Sequence, residues 1–297
     1  MSNLQELRSQ HLVETEWLAA QIAAGSPRLR VGDMRGYVKT HTEPNGYQTA
    51  DYLGARAEYL ESHIPGAVYF DWTSDIVDEN DPVPAQIAGV EKLAQLFAEN
   101  GIDNDTLIVA YDAHPASQLA TRLWWVMTYL GNSNVRVLNG GWAKWLKEGR
   151  ATTAEVPALP FATFTPNLQK AWRTTAEEIV ENLGSPRIRL IDARDAGQYT
   201  GEIRRGKYGG HIPGAKHLPR EALFTPENTF RSAEAIAEIV ESEGVGREER
   251  VVAYCNGGVA ATSVLFALSM LGYSDLSNYD GSWNEWGQRD DLPHEVG

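Results

Sequence analysis

HIPGA at residues 63–67 returns unchanged as HIPGA at 211–215, and three further stretches return with it in the same order. VGDMR at 31–35 matches LIDAR at 190–194. LIVAYD at 107–112 matches RVVAYC at 250–255, and NGGWAKW at 139–145 matches DGSWNEW at 280–286. The separation between partners narrows steadily along the chain, as in a duplication whose loops have drifted in length. One such match arises by chance; four in order identify an internal repeat. The 297 residues hold two units at roughly 150 residues per domain.

Each unit alternates short apolar runs with amphipathic ones. RLRVGDM and TLIVAY read as buried strands, being rich in Val, Leu and Ile and bounded by turn residues. Between them Ile87, Val90, Leu93, Leu96 and Phe97 recur at helical spacing, and Gly101 closes that helix. In the second unit Thr175 and Glu178 have capping-box spacing ahead of Ile179 and Leu183. The strand RIRLID, the helix SAEAIAEIVESEG, the strand RVVAY and the helix AATSVLFALSML follow, the last ending at Gly272. Strand–helix alternation of this kind predicts an α/β fold, a mainly parallel sheet flanked by helices in each unit. Residues 1–150 form the first unit and 173–297 the second. The linker between them, 151–172, carries Pro157, Pro160 and Pro166 and has little periodicity.

Charge and composition exclude several functions. A net charge of −14 repels phosphate backbones, so neither nucleic acid nor an anionic membrane surface is an expected partner. No apolar run approaches the roughly 20 residues of a membrane span. The opening MSNLQELRSQ lacks the apolar segment of a secretory signal, which makes the cytoplasm the expected location. A single cysteine, Cys255, rules out an internal disulfide or an all-cysteine metal site, and the seven histidines show no HxH or HxxxH spacing. No metal is therefore expected, and no cofactor either, because GxGxxG and GxxxxGK[ST] are both missing.

The two units differ in chemistry at one place. Where the first has Asp112 after its strand, the second has Cys255, followed by Asn256, Gly257, Gly258, Val259 and Ala260 before a helix begins near Ala261. A short glycine-bearing loop between strand and helix points backbone N–H groups inward, and the helix dipole adds positive charge. A cysteine heading such a loop is favoured as thiolate, and ligands of open α/β sheets sit beyond the carboxyl ends of strands. The bland reading is a buried cysteine acting as a small hydrophobe; strand end, glycine loop and helix start together favour a nucleophile. A cysteine phosphatase needs an arginine six positions after the cysteine, where Ala261 stands. A thiol hydrolase with a distant histidine stays open. A persulfide on Cys255 needs no base and would place its terminal sulfur where residues 256–260 aim their amides.

LVETEWLAAQI near the start, HIPGA in both halves, VVAYC with its six-residue loop and NYDGSWNEW near the end together resemble the rhodanese (sulfurtransferase) family in its tandem two-domain form. The resemblance spans nearly the whole chain. It implies that only the second domain is catalytic and that Asp112 marks a degenerate first copy. It also implies a sulfurtransferase reaction, in which Cys255 takes a sulfane sulfur from an anionic donor, holds it as a persulfide and passes it to cyanide or a thiol, a redox protein among the candidates. Thiosulfate is the expected donor, with 3-mercaptopyruvate close behind; the rival reading is a non-enzymatic sulfur carrier or interaction module. The chain departs from the family at several positions. Asn256 and Gly257 are neutral where thiosulfate-type members carry basic residues, and Gly257 stands where mercaptopyruvate-type members have serine. Gly54 replaces an aspartate of the latter, and Gln198 replaces a substrate-gripping arginine.

In GEIRRGKYGGH, the cations before His211 would concentrate an anionic donor in an otherwise acidic chain. The resemblance implies that Arg204 or Arg205 binds substrate. Asp192 and Arg194 recur as Asp33 and Arg35, and His211 recurs as His63. Residues present in both copies are expected to serve the fold. Trp72, Trp124, Trp125, Trp142, Trp283 and Trp286 are expected in the core or between domains.

Overall fold

The computed structural model describes residues 3–297. Twelve strands occur among them: β1 (Leu12–Val13), β2 (Leu29–Asp33), β3 (Gly36–Thr42), β4 (Gln48–Gly54), β5 (Ala67–Tyr69), β6 (Leu107–Tyr111), β7 (Val135–Leu138), β8 (Arg173–Thr174), β9 (Ile188–Asp192), β10 (Lys216–His217), β11 (Arg250–Tyr254) and β12 (Leu276–Tyr279). One five-stranded sheet has the order β1-β7-β6-β2-β5, the other β8-β12-β11-β9-β10, and every pairing in both is parallel. The two orders correspond strand for strand, so the repeat seen in the sequence is a repeat of topology. β6 and β11 are central and buried from their second residues onward, which suits their Val-rich composition.

The repeated motifs build the same buried polar network twice. In the first half Arg35 pairs with Asp33 at 2.7 Å, donates to the Ser62 carbonyl and lies 4.4 Å from the Trp142 ring. In the second half Arg194 pairs with Asp192 at 2.5 Å, donates to the Gly210 carbonyl and lies 4.4 Å from the Trp283 ring. The hydroxyls of Tyr111 and Tyr254 receive the Ile64 and Ile212 amides of the two HIPGA turns. His63 and His211 stack on Tyr59 and Tyr199 and direct Nδ1 at the carbonyls of those same tyrosines. Both histidines brace a turn.

The halves meet through the helices Gln118–Tyr129 and Ala261–Met270. A single apolar core runs across them, with Thr121 Oγ1 2.9 Å from Thr262 Oγ1 and Ser263 donating to the Ala116 carbonyl. Arg122, fully buried, bridges the halves, pairing with Asp280 at 2.6 Å and donating to the Gly258 and Ala85 carbonyls. Trp124, Trp125, Trp283 and Trp286 are buried, in keeping with expectation.

Two local features differ from the sequence reading. The helix expected from Ile87 begins at Val90, because the Ile87 amide donates to Asp280 and keeps the chain extended through that residue. β3 and β4 form an antiparallel hairpin that belongs to neither large sheet and has no counterpart in the second half. Between Lys147 and Lys170 the chain forms no helix or extended strand; Thr153 makes an isolated bridge to His63, and Phe164 is buried.

Candidate active site

Strand β11 delivers Cys255 to the carboxyl end of the second sheet, where it is 3 % exposed. Residues 256–260 then turn the chain into the helix at Ala261. Gly258 has φ +67°, and a Cβ there would run into Asp280, so no other residue fits without strain. The loop is tied by one hydroxyl. Ser282 Oγ accepts from the Cys255 amide at 3.0 Å and the Gly258 amide at 2.9 Å, and donates to the Tyr279 carbonyl at 2.7 Å. Among the described residues the amides of Asn256, Gly257, Val259 and Ala260 make no hydrogen bond. Four amides of the loop therefore lack an acceptor, not the five expected of residues 256–260; Gly258 gives its own to Ser282.

These residues open on a cavity of about 230 Å³ between the halves. Cys255, Asn256, Gly257, Val259 and Ala260 form its floor, and Arg205 and Arg220 supply its cations. Arg204 is not among the lining residues. Its backbone pairs with the first half, and its guanidinium lies 5.4 Å from the Tyr47 ring. The substrate-binding expectation thus narrows to Arg205, which donates to the Tyr52 hydroxyl at 3.0 Å. A third cation, buried outside the lining, also acts on the site. Burial opposes the charge of Arg194, the Asp192 carboxylate more than restores it, and its field reaches Cys255.

Gln198 fills the position of the absent arginine with a fixed polarity. The Asp195 carboxylate can only accept, so Gln198 Nε2 donates to it at 2.7 Å and to Gln48 Oε1 at 3.2 Å. That leaves Gln198 Oε1 to accept from Asn256 Nδ2 at 2.8 Å. The residue after the cysteine is therefore anchored through neutral amides. Gly54 abuts the Asp71 carboxylate, so a side-chain carboxylate at 54 would meet a like charge.

The first half contributes residues that motif reading missed. Val38, Thr40, Gln48 and Tyr52 come from the hairpin, Trp72 from the turn after β5, His114 from the loop after β6 and Gln118 from the first turn of the helix that follows it. Burial, aided by Arg220, pulls the His114 ring down to about 4, so it is neutral near pH 7. Its Nδ1 accepts the Ala116 amide at 3.0 Å, which leaves the proton on Nε2. Arg220 and His114 carried no sequence signal, since each faces the cavity only through the packing of one half on the other.

Asp112, the counterpart of Cys255, accepts the His114 amide at Oδ1 (3.1 Å) and the Leu119 and Ala120 amides at Oδ2 (2.7 and 2.9 Å). Burial pushes this carboxyl up to about 7, with the three amides pulling the other way. The first-half loop holds a carboxyl group of its own.

A rhodanese-like domain description matches residues 37–148 and 175–289. The chain is 36 % identical over 282 residues to thiosulfate sulfurtransferase of Cricetulus griseus, covering 93 % of this chain and 91 % of that one. It is 31 % identical over 293 residues to 3-mercaptopyruvate sulfurtransferase of Mus musculus, covering 96 % and 94 %. Among solved structures, the 3-mercaptopyruvate sulfurtransferase SseA of Escherichia coli superposes with a TM-score of 0.77 at 28 % identity, covering 92 % of this chain and 98 % of that one.

Proposed function

The chain belongs to the rhodanese family, in its tandem two-domain form, and from that footing we propose that it is a sulfurtransferase working through a persulfide on Cys255. One observation carries the reading. The sole cysteine sits at the floor of a cavity, beneath a loop with four backbone amides lacking an acceptor. Such donors stabilise an anionic sulfur and its successors without reorganising.

In the first step the Cys255 thiolate attacks the sulfane sulfur of the donor. A new Sγ–S bond forms, the donor's bond to that sulfur breaks, and its electron pair leaves on the donor residue, sulfite in the case of thiosulfate. In the second, a thiolate or cyanide attacks the terminal sulfur of the persulfide, and the electron pair of the broken S–S bond returns to Sγ. Both nucleophiles enter as anions, so no base beside Sγ is required. Thiosulfate is the donor we favour. It is small, its charged oxygens suit the loop amides with Arg205 and Arg220, and the relative bearing its name matches at 36 % identity against 31 % for the mercaptopyruvate one. A lone thiol that must cycle freely suits a reducing compartment such as the cytoplasm. No helix among the described residues is long and apolar enough to cross a membrane.

Intact mass after incubation with thiosulfate tests the reading. A gain of one sulfur atom, reversed by cyanide and missing in Cys255→Ser, is expected. Steady-state turnover no better than that of Cys255→Ser with either thiosulfate or 3-mercaptopyruvate would hand the chain to the rival reading, a sulfur carrier or interaction module.

A further inference from the structure

The stretch from Arg35 to His63 is longer than its counterpart from Arg194 to His211, and the excess forms the β3–β4 hairpin. The pleat divides its side chains between two faces. Val38, Thr40, Gln48 and Tyr52 turn toward the cavity, whereas Tyr37, Lys39, His41, Asp51 and Leu53 are exposed on the other side.

The hairpin belongs to the first half and is fastened to the second. The Gln48 amide donates to the Arg204 carbonyl and the Arg204 amide to the Gly46 carbonyl, each at 2.8 Å. Gly46 has φ +79°, and a Cβ there would strike the Glu202 carbonyl, so the tip seats against the second half with no room for a side chain. Gln198 holds Gln48, and the Tyr52 hydroxyl accepts from both Arg205 and Asn284 (3.2 Å). The result is a fixed cover over a nearly buried sulfur.

We propose that this hairpin selects the sulfur acceptor by size, admitting small thiols and cyanide to the Cys255 persulfide and excluding cysteines borne on folded proteins. The proposal rests on the persulfide reading above. Transfer requires the incoming sulfur to come within about 3–3.5 Å of the terminal sulfur and in line with the S–S bond. A free thiol of a few heavy atoms reaches that position inside a cavity of about 230 Å³. A folded protein brings the backbone on either side of its cysteine, and that backbone meets the hairpin before the sulfurs meet.

The test loads the full chain with thiosulfate, confirms the persulfide by intact mass, and follows its discharge in single turnovers. The acceptors are cyanide, dithiothreitol, a tripeptide thiol and thioredoxin as the folded dithiol. In the wild type the folded protein is expected to discharge it at least about 100-fold more slowly per thiolate than dithiothreitol. A trimmed chain, with residues 41–49 replaced by Asn-Gly to close the Thr40–Ala50 pair, is expected to gain about tenfold with the folded acceptor and less with dithiothreitol. Equal rates for protein and dithiothreitol in the wild type would overturn the proposal, as would a folded trimmed chain that gains nothing. If the trimmed chain does not fold, the wild-type series decides alone. Failure to load any persulfide would instead refute the underlying reading.

Discussion

Ser282 is the residue whose removal should most sharply separate the cradle from the fold. Its φ is +50°, a left-handed conformation that costs a residue with a Cβ roughly 1–2 kcal/mol. The first half has Gly141 at the matching place, with the same φ and no such cost. The second half tolerates the strain, and the hydroxyl ties the amides of Cys255 and Gly258. In Ser282→Ala those two buried donors lose their acceptor, at about 1–3 kcal/mol each before relaxation. A total loss of about 2–4 kcal/mol is expected, seen as a lower urea midpoint. Where about 2 kcal/mol of it falls on the loop conformation, persulfide loading from thiosulfate slows about thirtyfold. Ser282→Gly removes the same hydroxyl but relieves the left-handed backbone. It should be about 1 kcal/mol more stable than the alanine variant and load just as slowly. Urea midpoints and an intact-mass time course, read on both variants, give the comparison. Loading within twofold of wild type in either would show that the hydroxyl does not hold the cradle, and the argument would fail.

The two adjacent arginines should behave differently. Arg205→Ala is expected to raise KM for thiosulfate about tenfold at low salt with a smaller effect on kcat, and Arg204→Ala to leave KM unchanged; steady-state kinetics reporting the reverse order would move the anion site. His114 titrates near 4 in the fold against about 6.5 unfolded, so the unfolded chain binds more protons between those values. Its contribution to stability is therefore present above about 6.5 and lost as pH falls toward 4. His114→Gln should lose less of its urea midpoint than wild type between pH 7 and 4.5, and parallel curves would count against a buried neutral ring.

Much of the fold was legible because a duplication states its own topology. Four paired motifs placed the strands, and the structure gives them one sheet order twice. The cysteine loop was legible for the opposite reason, as a difference between copies. What escaped depended on how the halves pack. Arg122 and Asp280 join across the interface, and His114, Gln118 and Arg220 reach the cavity only once the halves have met. Arg204 and Arg205 could not be ranked because adjacent residues in an extended segment point opposite ways, and the register of that segment is set by Gly46 and Gln48. Ser282 left a signal that went unread: in the pair NGGW and DGSW a glycine becomes serine at a position that demands positive φ.

That substitution and Asp112 belong to one account of how the copies diverged. A loop of inward amides at the end of β6 or β11 needs a negative partner or a tie, since buried donors left alone destabilise. The first half supplies a carboxylate from the loop's own first residue, taking three amides, and can then use glycine at 141. The second half has a thiol at that residue, too poor an acceptor to quiet the loop. It ties two amides with the strained Ser282 and leaves four for an anion that arrives with the reaction. The two solutions share one amide only. His114 corresponds to Gly257, whereas Leu119 and Ala120 correspond to Thr262 and Ser263, whose amides the Val259 and Ala260 carbonyls already hold. The anion expected in the second half would therefore sit nearer the start of the loop than the Asp112 carboxyl does in the first.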